Sequence, residues 1–300
     1  MKFLRFEKWL PGMLLVTSSG LALAEKAVTP TTTSMTLTAP SWGNTGHPSL
    51  MLQGMDARQQ LLVTVEQSDG SVSGKTREVT FTTEPLGVIK VDAHGLVTPV
   101  KDGKTRVTAI APDGQKASLD ITVKDADRER PVNFSNQVVP VFTKFGCNSG
   151  GCHGKSEGRN GFRLSLLGFE PEEDFEHLVR EARGRRLFPA SPERSLLLLK
   201  GSGQIPYGGG ALIDTDSFDY QLLLRWIRQG MPFGRENDPR LESIAVHPGE
   251  SVMQPETGQQ LVVLARFTDN STRDITHTAV YEANDRELAE VDNTGYVLVG

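Results

Sequence analysis

The residue types with the most chemistry in this chain lie in one stretch, Cys147-Asn148-Ser149-Gly150-Gly151-Cys152-His153-Gly154, which holds both cysteines of the 300 residues. The arrangement is C-x4-C-H. Two thiols and an imidazole directly after the second are what covalent haem of the c type needs: the sulfurs add to the two vinyl groups of the porphyrin, and the histidine becomes an axial iron ligand. The usual spacing between the cysteines is two residues. Here it is four, and Gly150 and Gly151 tolerate backbone angles closed to other residues, so a longer loop can still bring both sulfurs to one ring. Two other chemistries compete. In an oxidising compartment Cys147 and Cys152 can close a small disulfide. A structural zinc site needs four ligands, and the only further histidine of this region is His177. His153, for which a plain disulfide has no use, puts haem first.

The segments around the motif set its context. Residues 1–24 have the form of a secretory signal: Lys2, Arg5 and Lys8, then a short apolar run, then Ala22-Leu23-Ala24 as a small-x-small cleavage site. Export follows as the expected localisation, periplasmic, cell-surface or secreted, and suits haem attachment outside the cytoplasm. No later stretch is long and apolar enough for a transmembrane helix. With 32 basic and 37 acidic residues, the net charge of -5 argues against nucleic acid as a partner. Residues 25–47, rich in threonine, proline and glycine, are expected to be a linker.

From 48 to 125 the pattern is β. Leu61, Val63 and Val65, and later Leu119, Ile121 and Val123, alternate with polar neighbours, and Asp69-Gly70 and Asp113-Gly114 mark turns. Several short strands at this spacing predict a small sandwich. Part of this unit recurs. Gln60-Leu61, Val63, Asp69, Ser71, Thr76, Val91-Asp92, Gly95 and Val97 return as Gln260-Leu261, Val263, Asp269, Ser271, Thr276, Val291-Asp292, Gly295 and Val297, an offset of 200 without a gap. Both copies resemble bacterial Ig-like (group 2) domains, through Val91-Asp92-Ala93-His94-Gly95-Leu96-Val97 and Val291-Asp292-Asn293-Thr294-Gly295-Tyr296-Val297. That resemblance implies spacer or adhesion modules and possible cell-surface or extracellular partners. The second copy, residues 239–300, lacks counterparts of the last strands of the first and is expected to be incomplete.

Between the copies, residues 126–238 carry helical spacing. Val138, Val141, Phe142 and Phe145 make one stripe, and Phe175, Leu178, Val179 and Ala182 a second. Leu196 to Leu199 form a short segment, and Tyr220, Leu223, Leu224 and Ile227 a last helix that starts near Asp214 to Ser217 and stops at Gly230-Met231-Pro232. Trp226 is expected as a core or haem-edge aromatic and not as a redox participant. Helix, cysteine motif, glycine-rich loop and final aromatic helix predict an all-α, cytochrome c-like haem domain. The stretches Phe134 to Gly154, Asn160 to Phe169, Arg185 to Pro189, Pro206 to Gly210 and Leu224 to Ile227 resemble planctomycete cytochrome c-like proteins that carry bacterial Ig-like domains. The resemblance implies one haem c, electron transfer and an unidentified redox partner protein. The family has a histidine before the three glycines where this chain has Tyr207.

The expected site is thus Cys147 and Cys152 for covalent haem and His153 as proximal ligand. In cytochromes of this plan the distal methionine comes from the loop before the final helix. Here that loop, Gly201 to Leu212, has none, and Ile205 precedes Pro206. Met231 lies beyond a helix of about 15 residues, on the order of 20 Å away at 1.5 Å per residue, so Tyr207 is the distal candidate and Met231 the alternative. Arg159, Arg163, Arg180, Arg183, Arg185 and Arg186 concentrate positive charge that suits haem propionates, an acidic partner or a solvated helix face. No nucleophile paired with a base, phosphate loop or metal triad appears. Two further readings stand beside electron transfer: a non-redox surface adhesion or interaction protein with a Cys147–Cys152 disulfide, and the N-terminal part of a larger enzyme.

Overall fold

The computed structural model describes residues 31–43, 49–154 and 156–300. The expected targeting segment 1–24 lies outside them. Ten strands make the first β unit: β1 (Thr32–Thr38), β2 (Ser49–Gln53), β3 (Gln59–Gln60), β4 (Leu62–Gln67), β5 (Val72–Gly74), β6 (Thr80–Glu84), β7 (Ile89–Val91), β8 (Leu96–Pro99), β9 (Gly103–Ile110) and β10 (Lys116–Lys124). They form sheets in the orders β1-β4-β5, β2-β10-β9-β6 and β3-β8-β7. The core of this unit contains Leu37, Leu61, Val63, Val107, Leu119 and Ile121, all buried. Each such aliphatic side chain contributes about 1.5–3 kcal/mol on burial. The expected linker 25–47 is corrected in part, because β1 pairs along β4, with Met35 opposite Val65 and Leu37 opposite Val63. Its alternating apolar residues, Met35 and Leu37, reach the core from a stretch whose threonines favour extended backbone.

The repeated residues have identifiable tasks. Asp92 turns its Oδ1 back to the amides of His94 (2.9 Å) and Leu96 (2.8 Å), as Asp292 does to Thr294 (2.8 Å) and Tyr296 (3.0 Å). Thr76 and Thr276 accept the Val63 and Val263 amides at 3.0 and 2.9 Å. Gln60 donates to the His94 carbonyl at 2.6 Å, and Gln260 to that of Thr294 at 2.7 Å. Gly95 and Gly295 hold φ of +82° and +78°. The repeat therefore marks one hairpin, and the buried polar groups that lock it to the sheet, built twice. His94, on the hairpin turn, is exposed.

The intervening segment overturns the all-α expectation. Its α-helices are α1 (Val139–Lys144), α2 (Pro171–Phe175), α3 (Leu196–Gly201) and α4 (Phe218–Arg228), and only the last reaches 11 residues. The chain as a whole is mostly β, and no distinct all-α cytochrome-like domain is formed. Breakers explain the difference: Leu167, Ala182 and Arg183 stand at φ of 54°, 52° and 60°, so the apolar stripe from Phe175 to Ala182 stops short of a regular helix. Ser217 caps α4 by accepting the Tyr220 amide at 3.2 Å, and Asn133 caps the turn Phe134–Val138 that runs into α1 by accepting the Asn136 amide at 2.8 Å. Helix α4 buries Tyr220, Leu223, Trp226 and Ile227 against Phe134, Val138, Phe142 and Leu178. Trp226 is fully buried and donates to the Pro232 carbonyl at 2.9 Å.

The chain then enters β11 (Leu241–His247), β12 (Gly258–Gln260), β13 (Val262–Phe267), β14 (Thr272–Asp274), β15 (Ala289–Val291) and β16 (Tyr296–Val299), in sheets β11-β13-β14 and β12-β16-β15. Among the described residues no strands match the β2-β10-β9-β6 sheet. The face that sheet would cover is open: Leu288 is 66% exposed where its repeat partner Val88 is 4% exposed. The two β units dock in a roughly two-fold way. Gln59 reaches Asp274 across the contact, and Gln259 packs on Gly74, the repeat partner of Asp274. Leu62, Val262 and Leu264 share one apolar cluster, with Trp42 packed against it.

Candidate functional site

The motif loop begins where α1 ends. Gly146, at φ +67°, reverses the chain, and the Cys147 amide returns to the Phe142 carbonyl at 2.8 Å. The Cys152 amide bonds to Ser149 at 3.0 Å, and the His153 amide bonds to the Cys147 carbonyl, also at 3.0 Å. The four intervening residues are thereby folded into a compact turn that ties the first cysteine to the histidine. Asn148, almost fully buried, anchors it through Nδ2 to Thr143 Oγ1 (2.9 Å) and through its carbonyl to the Leu167 amide (3.0 Å). Gly154 is required there, since a Cβ would overlap the Asn148 carbonyl.

The side chains form an ordered chain of hydrogen bonds. His153 Nδ1 lies 3.0 Å from the Phe162 carbonyl, an acceptor only, so Nδ1 carries the proton. Burial lowers the pKa of His153, and Arg159, Lys200 and Arg186 add to this, against the opposing effect of the Phe162 bond. The ring is accordingly neutral at pH 7, and Nε2 is left as an acceptor. Tyr207 Oη, 3.3 Å from Nε2, donates to it, and Cys152 Sγ, 3.3 Å from the same oxygen, donates in turn to Tyr207. Burial and the Cys152 thiol raise the pKa of Tyr207, keeping it a phenol. Cys147, packed against the helical core, is pushed up to about 12 by burial and the neighbouring Cys152. Both cysteines are free.

The structure thus gathers Cys147, Cys152, His153 and Tyr207 into one site, although Tyr207 is more than fifty positions from the motif. Met231 is placed elsewhere: it follows α4 at φ +56°, and its amide bonds to the Trp226 carbonyl at 2.9 Å. His177 is engaged by Arg163 Nε at 3.0 Å. Among the described residues no group of three or more His, Cys, Asp and Glu side chains is arranged to hold a metal ion. The arginine concentration separates into parts. Arg180 pairs with Glu176 on the surface, whereas Arg186 is buried. Sequence reasoning gave Phe162 no role. The signal that finds it is Asn160-Gly161, a dipeptide that favours a two-residue hairpin. That hairpin is present, with φ of 54° and 69° at its two central residues and Arg159 and Phe162 paired across it.

Residues 52–121 match the bacterial Ig-like domain (group 2) family. No curated protein matches the chain. Among solved structures, an intimin mutant of EHEC O157:H7 is similar at 19% identity over 29% of this chain and 42% of that chain, with a TM-score of 0.20. A TM-score that low establishes no common arrangement, and the chain spans less than half of the intimin chain. The family match supports the Ig-like part of the expected resemblance over residues 52–121 and lends no support to its cytochrome c-like part. No helix among the described residues is long and apolar enough to cross a membrane.

Proposed function

We propose that this is an exported surface or periplasmic protein in which Ig-like β units serve as spacer or interaction modules and the loop Cys147–Gly154 holds one haem c. The Ig-like match over residues 52–121 supports the modular part, and the signal-like residues 1–24 support export. The observation that carries the haem part is the setting of His153. Its Nδ1–H is spent on a backbone carbonyl, and Nε2 faces the Cys152–Tyr207 side. That is the support a metal-bound histidine ordinarily has.

Haem held through two thioethers supplies a one-electron ferric–ferrous couple. Cys147 and Cys152, both free, offer the two sulfurs, and the neutral imidazole offers its lone pair without first losing a proton. Tyr207 Oη stands directly before Nε2 at 3.3 Å, so it is the side chain that would move for haem to be held there. Gly208 and Gly210 follow it with open space around them. As the group that faces Nε2, Tyr207 is preferred to Met231 as the distal candidate. Arg159 and Lys200 border the site with positive charge that suits propionates or an acidic redox partner.

The test is a pyridine haemochrome spectrum after export in a host with haem-maturation machinery. One haem per chain should stay with the denatured polypeptide and be lost in the Cys147→Ser, Cys152→Ser double variant. A colourless wild-type protein without free thiols selects instead a non-redox surface interaction protein with a Cys147–Cys152 disulfide. That second reading is favoured by the family match, which concerns the Ig-like part alone.

A further inference from the structure

Arg186 is buried at 7% exposure, in a segment whose other arginines face solvent or pair on the surface. Nη1 donates to the carbonyls of His177 (2.8 Å) and Glu181 (3.2 Å), and Nη2 donates to the Gly161 carbonyl at 2.8 Å. Its guanidinium also lies over the Phe162 ring, 4.4 Å from the centroid. Among the described residues no carboxylate forms an ion pair with it, although the Glu181 charge acts on it. Burying a cation is costly unless its donors are matched, and here three of the five N–H donors go to backbone carbonyls while the guanidinium plane lies on a ring face, so the geometry it holds offsets that cost.

What it holds is the tight hairpin Arg159–Phe162. Gly161 is one of the two positive-φ residues at its tip, and the Phe162 carbonyl at its end accepts both the Arg159 amide (2.8 Å) and His153 Nδ1 (3.0 Å). The Phe162 ring packs on the imidazole, with centroids 4.7 Å apart. Arg186 therefore grips the hairpin by its tip carbonyl and by the ring whose opposite relations include His153. A lysine has no planar fork to span two carbonyls on one side and a third on the other.

We propose that Arg186 is the positioning residue of this site: by fixing the Arg159–Phe162 hairpin it fixes the Phe162 carbonyl, and so holds His153 in the Nδ1–H tautomer with Nε2 directed at Cys152 and Tyr207. This rests on the haem proposal only for its purpose, since the tautomer exists without the cofactor.

The experiment uses the full chain without haem, labelled with 15N, and reads the proton position on His153 from two-bond nitrogen–proton correlations. The wild type should show Nδ1–H. Arg186→Lys and Arg186→Gln should raise the Nε2–H fraction about 5- to 10-fold, the effect of one lost hydrogen bond. Phe162→Leu keeps the carbonyl but removes the ring under the guanidinium; it serves where an Arg186 variant fails to fold, and should shift the tautomer the same way by less. Emission from buried Trp226 reports that each variant is folded. An unchanged Nδ1–H signal in folded Arg186 variants overturns the assignment. A shifted tautomer in a protein that never yields a haemochrome refutes the haem proposal and leaves Arg186 as the group that positions the imidazole.

Discussion

The contact between the two β units sets two titrating groups against each other, and one substitution should separate them. Asp274 accepts the Gln60 amide at 2.6 Å and Gln59 Nε2 at 3.1 Å, and burial pushes its carboxyl from 3.8 up to about 6. His277, in contact with Gln60 Oε1 at 2.9 Å, is lowered by burial, with a smaller contribution from Arg58, from 6.5 to about 4. For Asp274 the folded value is the higher one, so its contribution is greatest below pH 3.8 and is lost as pH rises through 6. For His277 the folded value is the lower one, so its contribution is greatest above pH 6.5 and is lost as pH falls through 4. At 1.36 kcal/mol per unit each amounts to about 3 kcal/mol, with opposite sign over the same window. In the wild type the two cancel, and the contact should be nearly indifferent to pH between 4 and 7. His277→Gln retains a donor for Gln60 Oε1 and removes the acid-side loss. Protection of the Gln60 amide against hydrogen exchange, corrected for the intrinsic rate, should then rise about 100-fold from pH 7 to pH 4. Flat or falling protection in His277→Gln would refute the assignment of the buried acid to Asp274.

Gly95→Ala should destabilise the first β unit by about 1–3 kcal/mol, because the residue holds φ +82° and its Cβ would sit 3.1–3.3 Å from Thr76, Phe81 and Gln60. Gly70→Ala, at φ +80° in open space, should cost less, and urea unfolding of the two variants measures the difference. Ser217→Ala removes the α4 cap and should cost about 1 kcal/mol, read as a lower urea midpoint for Trp226 emission. Amides of β13 should exchange faster than those of β4, since the sheet that covers the equivalent face in the first unit has no match among the described residues of the second; equal protection would show that the open face costs nothing.

The parts of the fold that were legible are those set by local rules. Period-two alternation found the strands around Leu61 to Val65 and Leu119 to Val123, and the 200-residue offset found residues whose shared task is to lock one hairpin. Strand β1 was hidden because threonine and proline composition reads as linker until Met35 and Leu37 are seen opposite Val65 and Val63. The last helical stripe is α4 and the Leu196 to Leu199 segment is α3, whereas the stripe from Phe175 to Ala182 was real as a burial pattern and misleading as a helix. Phe175 and Leu178 do face one apolar cluster, but the backbone at Ala182 and Arg183 is left-handed and the chain turns away. Periodicity reports which residues are inside and does not report how many consecutive residues keep helical angles.

The candidate site shows the same division. Cys147, Cys152 and His153 are adjacent in sequence, so their spacing alone pointed to them. Arg186 lies far along the chain among other arginines, where charge on a solvated helix face is the ordinary explanation, and only its burial against three carbonyls distinguishes it. The framework extends further still. Arg225, on the same α4 that buries Trp226, donates from Nη2 to both carboxylate oxygens of Asp56 of the first β unit at 2.7 and 2.6 Å, and Lys144, at the end of α1 just before the motif loop, reaches Asp219 on α4 at 2.7 Å. These pairs are largely buried, and removing one partner of such a pair typically costs 3–5 kcal/mol because the other is left uncompensated. The loop with the two thiols is therefore fastened through α1 and α4 to the Ig-like unit, and a segment with short helices and many breakers keeps one geometry because a β framework fixes its ends.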